Sequence, residues 1–293
     1  MEKISFRHSV IFLNFCILIS PFYFMINFEP IILCLLLILI LGISHGALDN
    51  LKGKKLLKLY GYRSSISFYL TYILISLFII FFWLIFPNFV LFLFLIVAAY
   101  HFGREDTVFY FKKKFFISES LFFLKGSAVI MAPLLLQRNI TNEIFGILNF
   151  SVFESPIFSD QFLIIMLCLS FFSSLYISIK KNADLVGIMI MDFSSIIILN
   201  FFLTPVLAFT IYFCFLHSIR HSITLIFELD KSFMSGLKKF LNRALPLTLV
   251  TTVIFLFAIF YLNNFYKLDE AIYKVIFIGL ASLTFPHILL EYL

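Results

Sequence analysis

The chain is a succession of apolar runs, most of them close to the roughly 20 residues that an α-helix needs to cross the hydrocarbon of a bilayer. Short connections carrying most of its lysines divide these runs. In lipid, every backbone N–H and C=O must be satisfied inside the spanning structure, which leaves only helices and closed barrels. Barrel strands read as short stretches of alternating hydrophobicity, and the runs here are long and continuous. Charged residues make up only 13% of the sequence, and 43 of its 293 residues are phenylalanine. A soluble domain carries about a quarter charged residues. The sequence therefore predicts an all-α, polytopic transmembrane helical bundle. It reads as one integral-membrane domain over residues 1–293, with no polar stretch long enough to enclose a core of its own.

About ten spans follow from the apolar runs, near 9–26, 31–48, 66–86, 89–103, 119–136, 161–179, 185–203, 206–228, 246–263 and 271–290. The first is too long for a signal-peptide core, and no small-x-small cleavage site follows it, so it reads as a span. An even number puts both termini on one side. That side collects Lys3, Arg7, the basic cluster at 52–63, Arg104, Lys112 to Lys114, Lys180, Lys181 and the cluster at 231–243. The other side has Arg138 and Lys267. The bias predicts a cell (inner) membrane protein with both termini cytoplasmic. It also accounts for the net charge of +6 without a nucleic-acid partner. The partner implied is the lipid bilayer. Residues 137–160 read as the longest polar connection. Lys125 reads as a snorkelling residue at the start of the fifth span, and His8 as a solvated terminal residue. The four cysteines lie inside apolar runs, none with CxxC spacing, and read as small buried hydrophobes.

Five of the six histidines lie inside or at the ends of spans. His217 and His221 sit four apart within Phe213-Cys214-Phe215-Leu216-His217-Ser218-Ile219-Arg220-His221-Ser222, a spacing that puts both on one face of an α-helix. His45 closes the second span in His45-Gly46-Ala47-Leu48-Asp49, and His101 the fourth in Tyr100-His101-Phe102-Gly103-Arg104-Glu105-Asp106. His287 follows Pro286 in the tenth. On the topology above, all five fall in the inner half of the membrane. Ionisable groups in a span are expensive and usually face the bundle interior, and imidazole is the commonest metal ligand. His45, His101, His217 and His221 are therefore the expected metal ligands; the alternative is hydrogen-bonded core histidines.

Asp49 follows His45 by four residues and Asp106 follows His101 by five. Each is placed to take the other ring N–H of its histidine; the alternative is an acid wetted at the interface. His287 reads as a further ligand, a supporting group or an ordinary helix-end histidine. Arg220 reads as an anchor to an acid such as Glu228 or Asp49. Gly46 and Gly103 would allow close approach of a backbone or a substrate. Phe81, Phe82 and Trp83 read as lipid-facing or packing residues, or as lining for a long polyene. Donor softness leaves iron, zinc and copper open. The sequence asks for no catalytic residue beyond the ligands. HSIRH lacks the glutamate of HExxH, so a metalloprotease is a weak reading.

At these motifs, in this order from His45 to His287, the chain resembles the Brp/Blh family of integral-membrane β-carotene 15,15′-dioxygenases. The resemblance implies Fe(2+) as cofactor, held at the positions of His45, His101, His217 and His221. It implies β-carotene and O2 as substrates, with cleavage of the central double bond to two all-trans-retinal. One departure is Asn50, where the family pattern leads us to expect a second histidine. Rival classes are a b-type haem electron carrier, which would show a strong Soret band, and a histidine-relay transporter, which would hold no tightly bound metal. A di-iron desaturase or hydroxylase would need more histidines than the six present.

Overall fold

The computed structural model describes residues 2–24, 30–61, 65–108, 116–181 and 184–292; the side chain of His45 lies outside what it describes. In chain order the helices are α1 (Glu2–Phe24), α2 (Ile31–Leu37), α3 (Asp49–Leu59), α4 (Ser65–Ile85), α5 (Pro87–Val108), α6 (Phe116–Leu136), α7 (Arg138–Ile147), α8 (Asp160–Lys181), α9 (Asp184–Phe202), α10 (Pro205–Ile211), α11 (Ile219–Leu229), α12 (Phe233–Leu262) and α13 (Leu268–Tyr292). Among the described residues there is no strand. Among the described residues nine stretches are long and apolar enough to span a membrane, and a shorter apolar one covers Ile31–Gly42. The chain is thus a multi-pass helical membrane protein.

Proline marks the boundaries the sequence led us to expect. Pro87 opens α5 and Pro205 opens α10, positions where the missing N–H has no helical partner to lose. Pro21, Pro133, Pro246 and Pro286 lie inside helices, a placement membrane helices tolerate. Three elements differ from expectation. The second run leaves α-helical geometry, passing through a π turn at Ile38–Gly42 and a 3-10 turn at Ile43–Leu48. The polar connection at 137–160 folds into α7 and two 3-10 turns. The ninth span is part of a longer helix, because the basic stretch before it continues α12 without a break.

The chain divides into two compact units. One comprises Met1–Cys34, Leu95–Gly146 and Ser151–His221. Here α6 packs on α8, and α1 and α8 pack on α9. Small residues make the close approach possible. A Cβ on Gly103 of α5 would stand 1.7 Å from the Phe122 carbonyl oxygen of α6, and one on Gly126 would stand 1.9 Å from the Ala99 carbonyl oxygen of α5. The close approach expected at Gly103 is therefore that of a neighbouring backbone. On α8, Ser170, Ser173, Ser174 and Ser178 are buried, and Ser170 donates across to the Lys125 carbonyl at 2.7 Å. Lys125 does not snorkel: its Nζ turns inward and donates to Thr107 Oγ1 at 2.7 Å.

The other unit comprises Leu35–Phe94, Ile147–Phe150 and Ser222–Leu293. In it α4 packs on α13 and α3, and α12 packs on the 3-10 turn. Leu48, Leu225, Ile226, Phe240 and Ala244 form its apolar cluster. On α4, Trp83 is buried while Phe81 faces outward, where lipid would meet it.

Candidate metal centre

The residues between α10 and α11, Tyr212–Ser218, form a π-helical turn. Such turns interrupt α-helices frequently at functional sites. This one contains His217, whereas His221 lies beyond it in α11. The two imidazoles face adjacent acids of α5, His217 facing Asp106 and His221 facing Glu105.

His217 is 1% exposed. Its Nδ1 lies 3.0 Å from Asp106 Oδ1 of α5, and Tyr212 Oη donates to Asp106 Oδ2 at 2.7 Å. Both carboxylate oxygens are therefore engaged, which fixes the carboxylate plane and with it the imidazole. His101, one turn before Asp106 on α5, brings its ring to 5.2 Å from that of His217, at 68°. Phe102 meets the His217 ring edge-on at 4.9 Å, and Phe213 stacks on it at 5.9 Å and 16°. His221 brings its Nδ1 to 3.4 Å from Oε2 of Glu105, the residue before Asp106 on α5, beyond ordinary hydrogen-bond length.

Arg220 lies on the same stretch. The acid it holds is Asp192 of α9, where the sequence had pointed to Glu228 or Asp49. Arg220 Nη1 donates to Asp192 Oδ2 at 2.9 Å, and Nη2 to Asp192 Oδ1 at 3.2 Å and to Ser9 Oγ at 3.0 Å. Ser9 Oγ in turn donates to Asp192 Oδ1 at 2.8 Å. A lone acid in an apolar span was the legible signal, because such a charge requires a counter-ion.

His8 is not solvated. It is half-buried, and its Nε2 donates to the Phe215 carbonyl at 2.9 Å, inside the π turn.

The other unit repeats the histidine–carboxylate arrangement. His287 Nδ1 lies 2.9 Å from both oxygens of Asp49. Tyr72 Oη sits 3.1 Å from Asp49 Oδ2 and 3.2 Å from the Leu283 carbonyl, so its one proton goes to one of them at a time. Pro286 removes the N–H that would have bonded to the carbonyl of Ser282, the residue before Leu283. Glu291, which sequence reasoning missed, pairs with Lys52. Asp49, His287 and Glu291 place their ligand-capable atoms within 4.8 Å of one another. Asn50 donates to Tyr69 Oη at 3.0 Å. Each aspartate thus serves a histidine from a distant helix, where the sequence had paired it with the histidine of its own segment.

The donor set fits a metal. With Nδ1–H given to a carboxylate, the tautomer is fixed and Nε2 carries the lone pair, the arrangement typical of ligating histidines. Fold and site together define a multi-pass helical membrane protein that buries histidine–carboxylate pairs within its helices. A sequence model of the β-carotene 15,15′-dioxygenase family matches residues 36–293, and the chain belongs to that family of oxidoreductases. A curated β-carotene 15,15′-dioxygenase from uncultured marine bacterium 66A03 is 30% identical over 268 residues, covering 87% of this chain and 90% of the relative. No solved structure matches the chain.

Proposed function

We propose that this chain cleaves the central 15,15′ double bond of β-carotene with O2 to give two all-trans-retinal, using an Fe(2+) centre held by His45, His101, His217 and His221. The observation that carries the reading is the buried His217–Asp106 pair, with both carboxylate oxygens occupied, in a chain of a family named for that reaction. When bound, iron supplies the redox chemistry that lets O2 react with a closed-shell polyene.

The side chains supply position and environment. Asp106 holds the His217 imidazole in the tautomer that presents Nε2. Tyr212 keeps the carboxylate from turning away. Phe102 and Phe213 cover the ring on its edge and face, excluding water that would otherwise compete at a reactive centre. Asp49 holds His287 in the equivalent way, as a support or an additional ligand. No side chain needs to move a proton: each half of the polyene gains one oxygen atom as an aldehyde, and no hydrogen leaves. The substrate is as apolar as the bilayer and reaches the enzyme from it, with both termini of the chain in the cytoplasm.

The test is expression in a β-carotene-producing bacterium. Loss of colour with retinal detected by chromatography is the expected result. Unchanged pigment in an iron-replete strain that accumulates the protein overturns the proposal. His217→Ala is expected to leave the pigment intact, and full bleaching by that variant removes His217 from the centre.

A further inference from the structure

The family match begins at residue 36, so α1 lies outside it. Yet α1 reaches the stretch that carries His217 and Arg220 at three points. His8 Nε2 donates to the Phe215 carbonyl at 2.9 Å, two residues before His217. Phe15 packs its ring 5.7 Å from that of Phe215. Ser9 lies between Asp192 and Arg220, donating to one and accepting from the other. On α1, His8 and Phe15 are seven residues apart, two turns on one face, so they bracket Phe215 from a single helix.

This placement has a physical consequence. A π turn interrupts the regular i→i+4 ladder of a helix. In an apolar interior, a backbone carbonyl without a donor is costly. His8 supplies a donor to a carbonyl of the turn itself. The Arg220–Asp192–Ser9 contact pins the residues just after the turn, and Asp106 with Tyr212 fixes His217 from the opposite partner. His217 and the residues that follow it are thus held from both ends.

We infer that His8 is a positioning residue: through the Phe215 carbonyl, α1 locks the π turn in the geometry that aims His217 at Asp106. The consequence for turnover rests on the proposed function; the consequence for the turn does not.

The experiment uses the full chain in lipid nanodiscs, comparing wild type with His8→Leu, which keeps bulk without a donor, and His8→Gln, whose amide N–H2 has similar reach. Hydrogen–deuterium exchange over Tyr212–Ser218 reads the turn directly. Loss of one hydrogen bond is expected to speed exchange there about three- to tenfold in His8→Leu, with His8→Gln close to wild type. Carotenoid turnover is read alongside, as kcat and KM separately. His8→Leu is expected to lower kcat by a similar factor with KM little changed, and His8→Gln to restore it. If His8→Leu does not accumulate, His8→Ala is read by the same criteria. Wild-type exchange in the donor-less variant, or a Gln variant no better than Leu, overturns the inference. A wild-type protein that cleaves no carotenoid refutes the proposed function while leaving the exchange result to decide this one.

Discussion

At the scale of single residues, the buried Asp106 and Asp192 perform separable tasks. Asp106 touches His217 and Tyr212; Asp192 touches Arg220 and Ser9. Removing charge from each should therefore fail differently. Asp106→Asn keeps the shape but weakens the carboxylate that orients His217, and loss of such a partner typically lowers metal affinity about 10- to 100-fold. Asp192→Asn leaves the Arg220 guanidinium buried without its counter-charge, a defect of about 3–5 kcal/mol in folding. Metal titration and thermal melting of the two variants check this: the first should lose metal and keep its melting temperature, the second should melt earlier. Equal metal affinity in Asp106→Asn and wild type would detach that aspartate from the metal centre. These pairings also show what sequence can reach. His101 and Asp106 are neighbours on one helix, so sequence paired them. A carboxylate at a helix face can equally serve a histidine from another helix, and nothing local encodes which one is served.

At the scale of elements, the spans were legible because hydrocarbon thickness sets their length and apolar runs report it directly. The π turns at Ile38–Gly42 and Tyr212–Ser218 were not. Their residues are ordinary helix-compatible apolar side chains, and the partner that reaches the second turn, His8, sits on a helix some two hundred residues away. Lys125 was misjudged for a related reason: a lysine near a helix start reads as snorkelling, but Thr107 on α5 offers an inward acceptor. The Gly103–Gly126 contact gives α5 and α6 their spacing, and through it sets the reach of Lys125. A methyl at Gly126 would meet the Ala99 backbone, which cannot rotate aside as a side chain can. Gly126→Ala should therefore force the two helices apart and destabilise by about 1–3 kcal/mol. Gly146, in α7, has nothing within 4 Å of an added Cβ, so Gly146→Ala should be neutral or slightly stabilising. Melting temperatures in the same detergent separate the two, and equal shifts would refute the close-contact account.

For the whole molecule, orientation turns on one short segment. Among the described residues nine stretches qualify as spans, an odd number, and the shorter apolar stretch Ile31–Gly42 decides the parity. If it crosses, both termini lie on one side; if it only enters the membrane, they lie on opposite sides. Charge favours crossing. A single bilayer face can hold Lys3, Arg7, Lys52, Lys54, Lys55 and Lys58 together only if the chain passes out and back between residues 7 and 52. The departure of Ile38–Leu48 from α-helical geometry does not oppose this, since a π turn and a 3-10 turn still pair their backbone groups within the segment. Reporter fusions at each terminus test the prediction. A fluorescent protein that matures only in the cytoplasm should glow at both ends, and alkaline phosphatase, active only outside, should be silent at both. A silent fluorophore with active phosphatase at the N-terminus alone would mean that the Ile31–Gly42 stretch does not cross, and would leave His45 and the basic loops that follow it in the cytoplasm with only Lys3 and Arg7 outside.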